Sequence, residues 1–167
     1  KMLDFGAGKL SLQVGIEMQT LTPSFLGDAP SSWVANPELP DGILIDPESG
    51  EIRGTPSSEW PTMTYTIIAN NAAGTTSDSI EITVLPAPVK SLEMNTSHIY
   101  CTVGQECHSQ PPNFTGGIPK EWHSEPPLPN GLALGSDGSI SGTPSMIGDS
   151  NHTITASNEG GSASGVL

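Results

Sequence analysis

Gly50-Glu-Ile-Arg-Gly-Thr-Pro56 returns further along the chain as Gly138-Ser-Ile-Ser-Gly-Thr-Pro144. Upstream of it, Leu39-Pro-Asp-Gly42 is matched by Leu128-Pro-Asn-Gly131, Trp33 by Trp122, and Phe25 by Phe114. Earlier still, Pro23 answers to Pro112 and the step Val14-Gly15 to Val103-Gly104, all at a constant offset of 89 residues. One residue drops out of a loop before the heptapeptide and a second after it. Ile67-x-Ala69-x-Asn71 then meets Ile154-x-Ala156-x-Asn158. The chain is two copies of one small unit, and the period of that unit sets the architecture. A catalytic centre is seldom needed twice at one spacing, whereas a spacer or a binding array is built that way routinely.

The 167 residues therefore divide into two domains, 1–88 and 89–167. Units of that size fold alone but bury a modest share of their surface. Leu10-Ser-Leu12-Gln-Val14 alternates as a strand should, and Gly15 breaks it. In Ser79–Val84, Ile80, Ile82 and Val84 share one face while Ser79, Glu81 and Thr83 share the other. Thr64–Ala69 is a second clear strand, and Asn70–Gly74 between the two reads as a hairpin turn. The lead from Lys1 to Lys9 is poorly patterned, and no segment has a helical period. The 19 glycines and 16 prolines recur largely at equivalent repeat positions, which marks turns rather than disorder. Short strands punctuated in this way predict an all-β protein of two tandem sandwiches. The link Leu85-Pro-Ala-Pro88 favours an extended, semi-rigid connection and an end-to-end arrangement, with a proline-bearing strand edge folded back on its own domain as the local alternative.

A net charge of −13 arises from 18 acidic against 5 basic residues. With no Lys/Arg cluster, nucleic acid and anionic membrane are poor partners. No apolar stretch is long enough to span a bilayer, so no direct membrane insertion is expected. Lys1 is not an initiator methionine, and Leu167 falls inside what reads as the last strand of the second copy. A fragment of a longer protein is the expectation.

At the Leu-Pro-x-Gly, Gly-x-Ile-x-Gly-Thr-Pro and Ala-x-Asn positions both copies resemble the immunoglobulin-like repeats related to dystroglycan-type cadherin-like domains. The resemblance covers nearly the whole chain. It implies a seven-stranded Greek-key sandwich in each copy, strung in series on an extracellular, cell-surface protein, and no catalytic activity.

Cys101 and Cys107 occupy the positions of Leu12 and Met18 in the first copy, around the shared Val-Gly step. Side chains that meet as an apolar pair in one copy would meet as a disulfide in the other. Two reduced core cysteines are the rival reading. A zinc site with His108 would need a fourth ligand, and the first copy lacks all three residues. Three Asn-x-Ser/Thr sequons, at Asn95, Asn113 and Asn151, are candidate N-glycosylation sites, all in the second copy. Strand alternation turns Asn151 away from Ile154 and Ala156, toward solvent.

Asp41, Asp46, Glu48 and Glu51 cluster in one loop region and have the oxygen chemistry for Ca²⁺. The second copy keeps only Asp137 there, so a solvated acidic loop is the favoured reading and no cofactor is expected. The four histidines, His98, His108, His123 and His152, lack metal-ligand spacing and read as ordinary surface or half-buried residues. Trp33 and Trp122 read as core aromatics, or alternatively as stacking platforms; Trp60 has no counterpart and is the candidate for an exposed contact.

These observations predict a non-enzymatic structural module of a larger extracellular repeat protein. It would act as a stiff, glycosylated spacer in a fibre, appendage or stalk, with neighbouring copies or other filament proteins as partners. The alternative is an adhesion module that binds a carbohydrate or a cell-surface receptor.

Overall fold

The computed structural model describes residues 3–167, which form strands and connecting turns with no helix among them. The first two residues of the Lys1–Lys9 lead lie outside the described residues. The chain forms two compact units, Lys1–Pro86 and Ala87–Leu167.

The first unit contains β1 (Leu3–Asp4), β2 (Lys9–Gln13), β3 (Ser24–Phe25), β4 (Ser32–Asn36), β5 (Ile43–Ile45), β6 (Ile52–Gly54), β7 (Trp60–Asn71) and β8 (Gly74–Leu85). One layer is the sheet β2-β8-β7-β4, with β2 parallel to β8 and the other neighbours antiparallel. The opposite layer holds β1 with β3 and β5 with β6, joined by a bridge between Leu21 and Ile52. Ile52, Tyr65, Ile67, Ile80 and Ile82 fill the space between the layers and are fully buried. The alternation of Ser79–Val84 is used as its pattern predicts: Ile80, Ile82 and Val84 point into the core.

The lead and the hairpin β7–β8, whose second strand starts at Gly74 rather than Ser79, depart from the sequence reading. The lead is not idle, because β1 pairs with β3 and both Leu3 and Phe5 enter the core. Phe5 meets Trp33 edge-on, at 6.4 Å between ring centroids. A strand of two residues has no period to detect. In addition, β7 starts at Trp60 rather than Thr64, and a register shift between Trp60 and Met63 accommodates Pro61.

The second unit contains β9 (Val89–Glu93), β10 (Cys107–His108), β11 (Asn113–Gly116), β12 (Glu121–Glu125), β13 (Leu132–Leu134), β14 (Ile140–Gly142), β15 (Thr153–Asn158) and β16 (Gly161–Val166). Its sheets are β12-β15-β16, β10-β14-β13 and β9-β11. Val89, Leu92, Ile140, Ile154 and Ala156 form the buried core.

The repeated motifs are interlocking turns. Thr55 N–H donates to Gly42 O (3.0 Å), and Thr143 N–H donates to Gly131 O (2.9 Å). A Cβ on Gly42 would collide with the Thr55 carbonyl, and one on Gly54 with the Gly42 carbonyl; Gly131, Thr143 and Gly142 repeat the arrangement. Leu-Pro-x-Gly and Gly-Thr-Pro are therefore two halves of one backbone contact that only glycine permits. The Ala-x-Asn motif closes the other end. The Asn71 carboxamide oxygen accepts from Ala73 N–H (2.9 Å), and that of Asn158 from Gly160 N–H (2.8 Å) and Gly161 N–H (3.0 Å). Their amide nitrogens reach distant loop carbonyls, Asp28 O at 3.0 Å and Ala87 O at 2.9 Å. Each asparagine shapes its hairpin and pins a loop to it.

Candidate functional site

Cys101 and Cys107 are joined by a disulfide, with Cα atoms 5.6 Å apart. The chain between them turns at Gly104 (φ 77°), where Gln105 N–H donates to Thr102 O (3.0 Å) and Gly104 N–H to Pro144 O (3.0 Å). The first unit makes the same turn at Gly15 (φ 75°), anchored by Gly15 N–H to Pro56 O (2.9 Å). This is the type II geometry that places glycine at the third position. With both sulfurs in the bond, neither is available to the zinc arrangement with His108.

The acidic loop of the first unit is organised by its own backbone. Asp46 Oδ1 accepts from Glu48 N–H and Ser49 N–H, both at 2.9 Å, while Oδ2 faces Arg53 Nη2 at 3.4 Å. The amide of Ser49, then that of Glu48, holds the Asp46 carboxyl below its ordinary value. Asp137 is lowered in the same way by the hydroxyl and the amide of Ser139. Both carboxylates serve as turn acceptors. Among the described residues no group of three or more His, Cys, Asp or Glu is arranged to hold a metal.

His152 stands where the first unit has Tyr65, and it is buried. Its Nδ1–H donates to Pro126 O at 2.8 Å, and Nε2 lies 2.6 Å from Ser150 Oγ. Both ring nitrogens have partners, as a buried imidazole requires. The sequence reading of the four histidines as surface or half-buried residues is therefore corrected at His152, which shares the inward face of Ile154 and Ala156. In the first unit, burial raises the Tyr65 phenol above its ordinary value, with the Trp60 ring pulling the other way. The Tyr65 hydroxyl and the Trp33 Nε1 have no partner at hydrogen-bond distance and angle.

All three sequon asparagines are exposed. Asn95 and Asn113 lie together: Asn113 Nδ2 donates to Asn95 Oδ1 at 2.8 Å, and Asn95 Nδ2 donates to Pro111 O. Asn151 stands apart from them, just ahead of β15. Trp33 is a core residue, and Trp122 is half-buried against the second core. Trp60 is partly exposed at the start of β7, opposite Val84. The most exposed aromatic is one the sequence reading passed over. Tyr100 is 92% exposed and stacks on His98, with centroids 6.1 Å apart and planes 11° from parallel. The pair sits beside a groove of about 830 Å³ in the second unit, whose walls include Ile99, Val103, Ile140, Ile147 and His152.

The profile of the family described as "Putative Ig domain" matches the chain twice, over residues 11–85 and 94–167. The chain belongs to this family. Solved structures agree on the fold. The I67–I69 fragment of titin matches at 18% identity with a TM-score of 0.59, covering 98% of this chain and 63% of that one. Extracellular domains 3–5 of Drosophila OTK match at 16% identity and 0.58, covering 99% and 60%. The insect immune protein hemolin, described with implications for homophilic adhesion, matches at 18% identity and 0.53, covering 96% and 44%. The chain thus spans about three-fifths or less of these structures. No curated protein sequence matches it. At these identities the structures show the tandem Ig-like sandwich fold that the family match also gives.

Proposed function

We propose that this chain is a non-enzymatic, cofactor-free structural module of a larger extracellular repeat protein, a glycosylated spacer that packs against like modules in a surface fibre, appendage or stalk. The observation that carries this reading is what the two units hold in common. They share the interlocked glycine turns, the packed tryptophans and the asparagine-clamped hairpins. They do not share the disulfide, the sequons or the histidines, which are confined to the second unit. What is duplicated is scaffold, and what varies is its decoration. The three residues Pro86–Pro88 between β8 and β9 suit a spacer, because prolines restrict the link.

Electron microscopy of the parent material from its native source tests the proposal. Regular filaments, with an axial repeat related to one sandwich of roughly 35–45 Å, are expected; isolated flexible strings would count against it. Mass spectrometry of the same material tests the decoration. Sugar is expected on at least one of Asn95, Asn113 and Asn151, all of them exposed; all three bare would remove the decoration from the reading.

The exposed Tyr100–His98 stack favours a second reading, an adhesion module whose aromatic face meets a sugar ring or a receptor. Saturable binding on a glycan array that Tyr100→Ala abolishes would establish it. Flat responses would remove it.

A further inference from the structure

Leu39-Pro-Asp-Gly42 and Leu128-Pro-Asn-Gly131 form the same turn in the two units. Ile43 N–H donates to Pro40 O (2.9 Å) in one, and Leu132 N–H to Pro129 O (3.0 Å) in the other. Gly42 (φ 88°) and Gly131 (φ 94°) hold the third position, which a type II turn reserves for glycine. The second position differs in chemistry. The first unit has a carboxylate there, Asp41, and the second a carboxamide, Asn130. The backbone treats the two alike: Ser57 N–H donates to Asp41 O (3.0 Å), and Ser145 N–H to Asn130 O (3.2 Å).

Of the eight asparagines, Asn130 alone is followed by glycine. An asparagine carboxamide is open to attack by the backbone nitrogen of the next residue when that nitrogen is uncrowded and both groups are free to approach. Both conditions hold at this turn. Asn130 and Gly131 are exposed, and among the described residues neither the Asn130 carboxamide nor the Gly131 N–H has a hydrogen-bond partner. The other asparagines each fail one condition. Asn36 precedes a proline, which has no N–H. Asn70, Asn71, Asn95, Asn113 and Asn158 hold their carboxamides in hydrogen bonds. Asn151 precedes His152, whose N–H is donated to Leu167 O (2.8 Å).

We propose that Asn130 is a self-modifying site, at which the second unit acquires without an enzyme the carboxylate that the first unit encodes. The Gly131 nitrogen bonds to Asn130 Cγ and gives up its proton, and the carboxamide nitrogen leaves as ammonia, which closes a cyclic imide. Water then adds to one imide carbonyl and breaks its bond to the Gly131 nitrogen, which takes a proton back. Opening at Cγ restores the backbone and leaves aspartate. Opening at the Asn130 backbone carbonyl leaves isoaspartate, whose chain runs through Cβ and Cγ and is one carbon longer. The two products differ in what they do to the corner. Gly131 O accepts from Thr143 N–H (2.9 Å), and a Cβ on Gly131 would stand 2.0 Å from the Thr143 carbonyl oxygen. Backbones this close cannot take up an added carbon, so isoaspartate opens the contact between Leu-Pro-x-Gly and Gly-Thr-Pro. Aspartate keeps it, as Asp41 does in the first unit.

The test holds the folded full chain in neutral buffer made with heavy-oxygen water and follows each asparagine by peptide mapping with fragmentation. Conversion in ordinary water adds one dalton and in heavy-oxygen water three, which separates it from any aspartate formed beforehand. The gain of three daltons is expected at Asn130 ahead of every other asparagine. The isoaspartate-bearing fraction should melt below the parent in its second unit, and the variant Asn130→Asp should melt with the parent. An Asn130 that stays intact while another asparagine converts, or that converts only after denaturation, overturns the proposal. Melting of Asn130→Asp well below the parent overturns the equivalence with Asp41.

Discussion

At Gly50 and Gly138 the backbone turns with φ of 75° and 80°, and the space a side chain would occupy is filled by the ring of Trp33 or Trp122. A methyl group there meets two penalties, a left-handed backbone and an indole that must move. Gly138→Ala is expected to lower the unfolding free energy of the second unit by about 3 kcal/mol in chemical denaturation. Gly148→Ala, with open space around it, should change it by no more than about 0.5 kcal/mol. The first glycine of Gly-x-Ile-x-Gly and the repeated tryptophan are thus one feature, although they lie 17 and 16 residues apart in the two copies. Tyr65 offers the opposite case. Its hydroxyl is buried without a well-formed hydrogen bond, so Tyr65→Phe removes a desolvated polar group and leaves the ring in place. That variant should match or exceed the parent stability, by up to about 1 kcal/mol. A loss greater than this would mean that the hydroxyl has a partner in solution.

Among the elements, the turn ahead of β6 depends on the charge of one side chain. Asp46 accepts two amides and faces Arg53, and its carboxyl is lowered first by Ser49 N–H and then by Glu48 N–H. A carboxyl with a depressed folded-state pKa contributes stability above its unfolded value, near 4, and loses it as pH falls through the folded value. Acid should therefore loosen this turn, and Asp46→Asn, which keeps an acceptor oxygen without a titrating proton, should flatten the fall in the first unit's stability below pH 4. A parallel slope in parent and variant would rule the turn out as a source of acid sensitivity. Strands whose two faces differ in character, such as Ser79–Val84, were legible in the sequence because one pleat suffices to read them. β1 was not, since two residues carry no alternation and Leu3 and Phe5 gain meaning only beside Phe25 and Trp33. The exposed Tyr100–His98 stack escaped for a related reason: alternation places Tyr100 outward but does not show that His98 folds onto it. The groove was illegible too, because it depends on what lies between residues 98–102 and Asp149–Asn151 in space rather than on any residue's own type.

At the scale of the whole molecule, among the described residues twelve buried side chains hold the first unit and five hold the second. Each sheet draws its strands from one unit, and three residues separate β8 from β9. Cores this unequal should not melt as one. Calorimetry is expected to resolve two transitions, the lower belonging to the second unit, which has less apolar surface to return to water. The disulfide provides the assignment. Closing the short loop from Cys101 to Cys107 restricts the unfolded chain by about 2 kcal/mol. For a domain of this size that corresponds to a shift of roughly 10 °C. Reduction, or Cys101→Ser combined with Cys107→Ser, should therefore displace the lower transition downward and leave the upper one in place. If both move together, the units unfold cooperatively and the inequality of their cores is compensated across the chain. If only the upper one moves, the larger buried core is not the more stable, and packing quality rather than core size ranks the two copies.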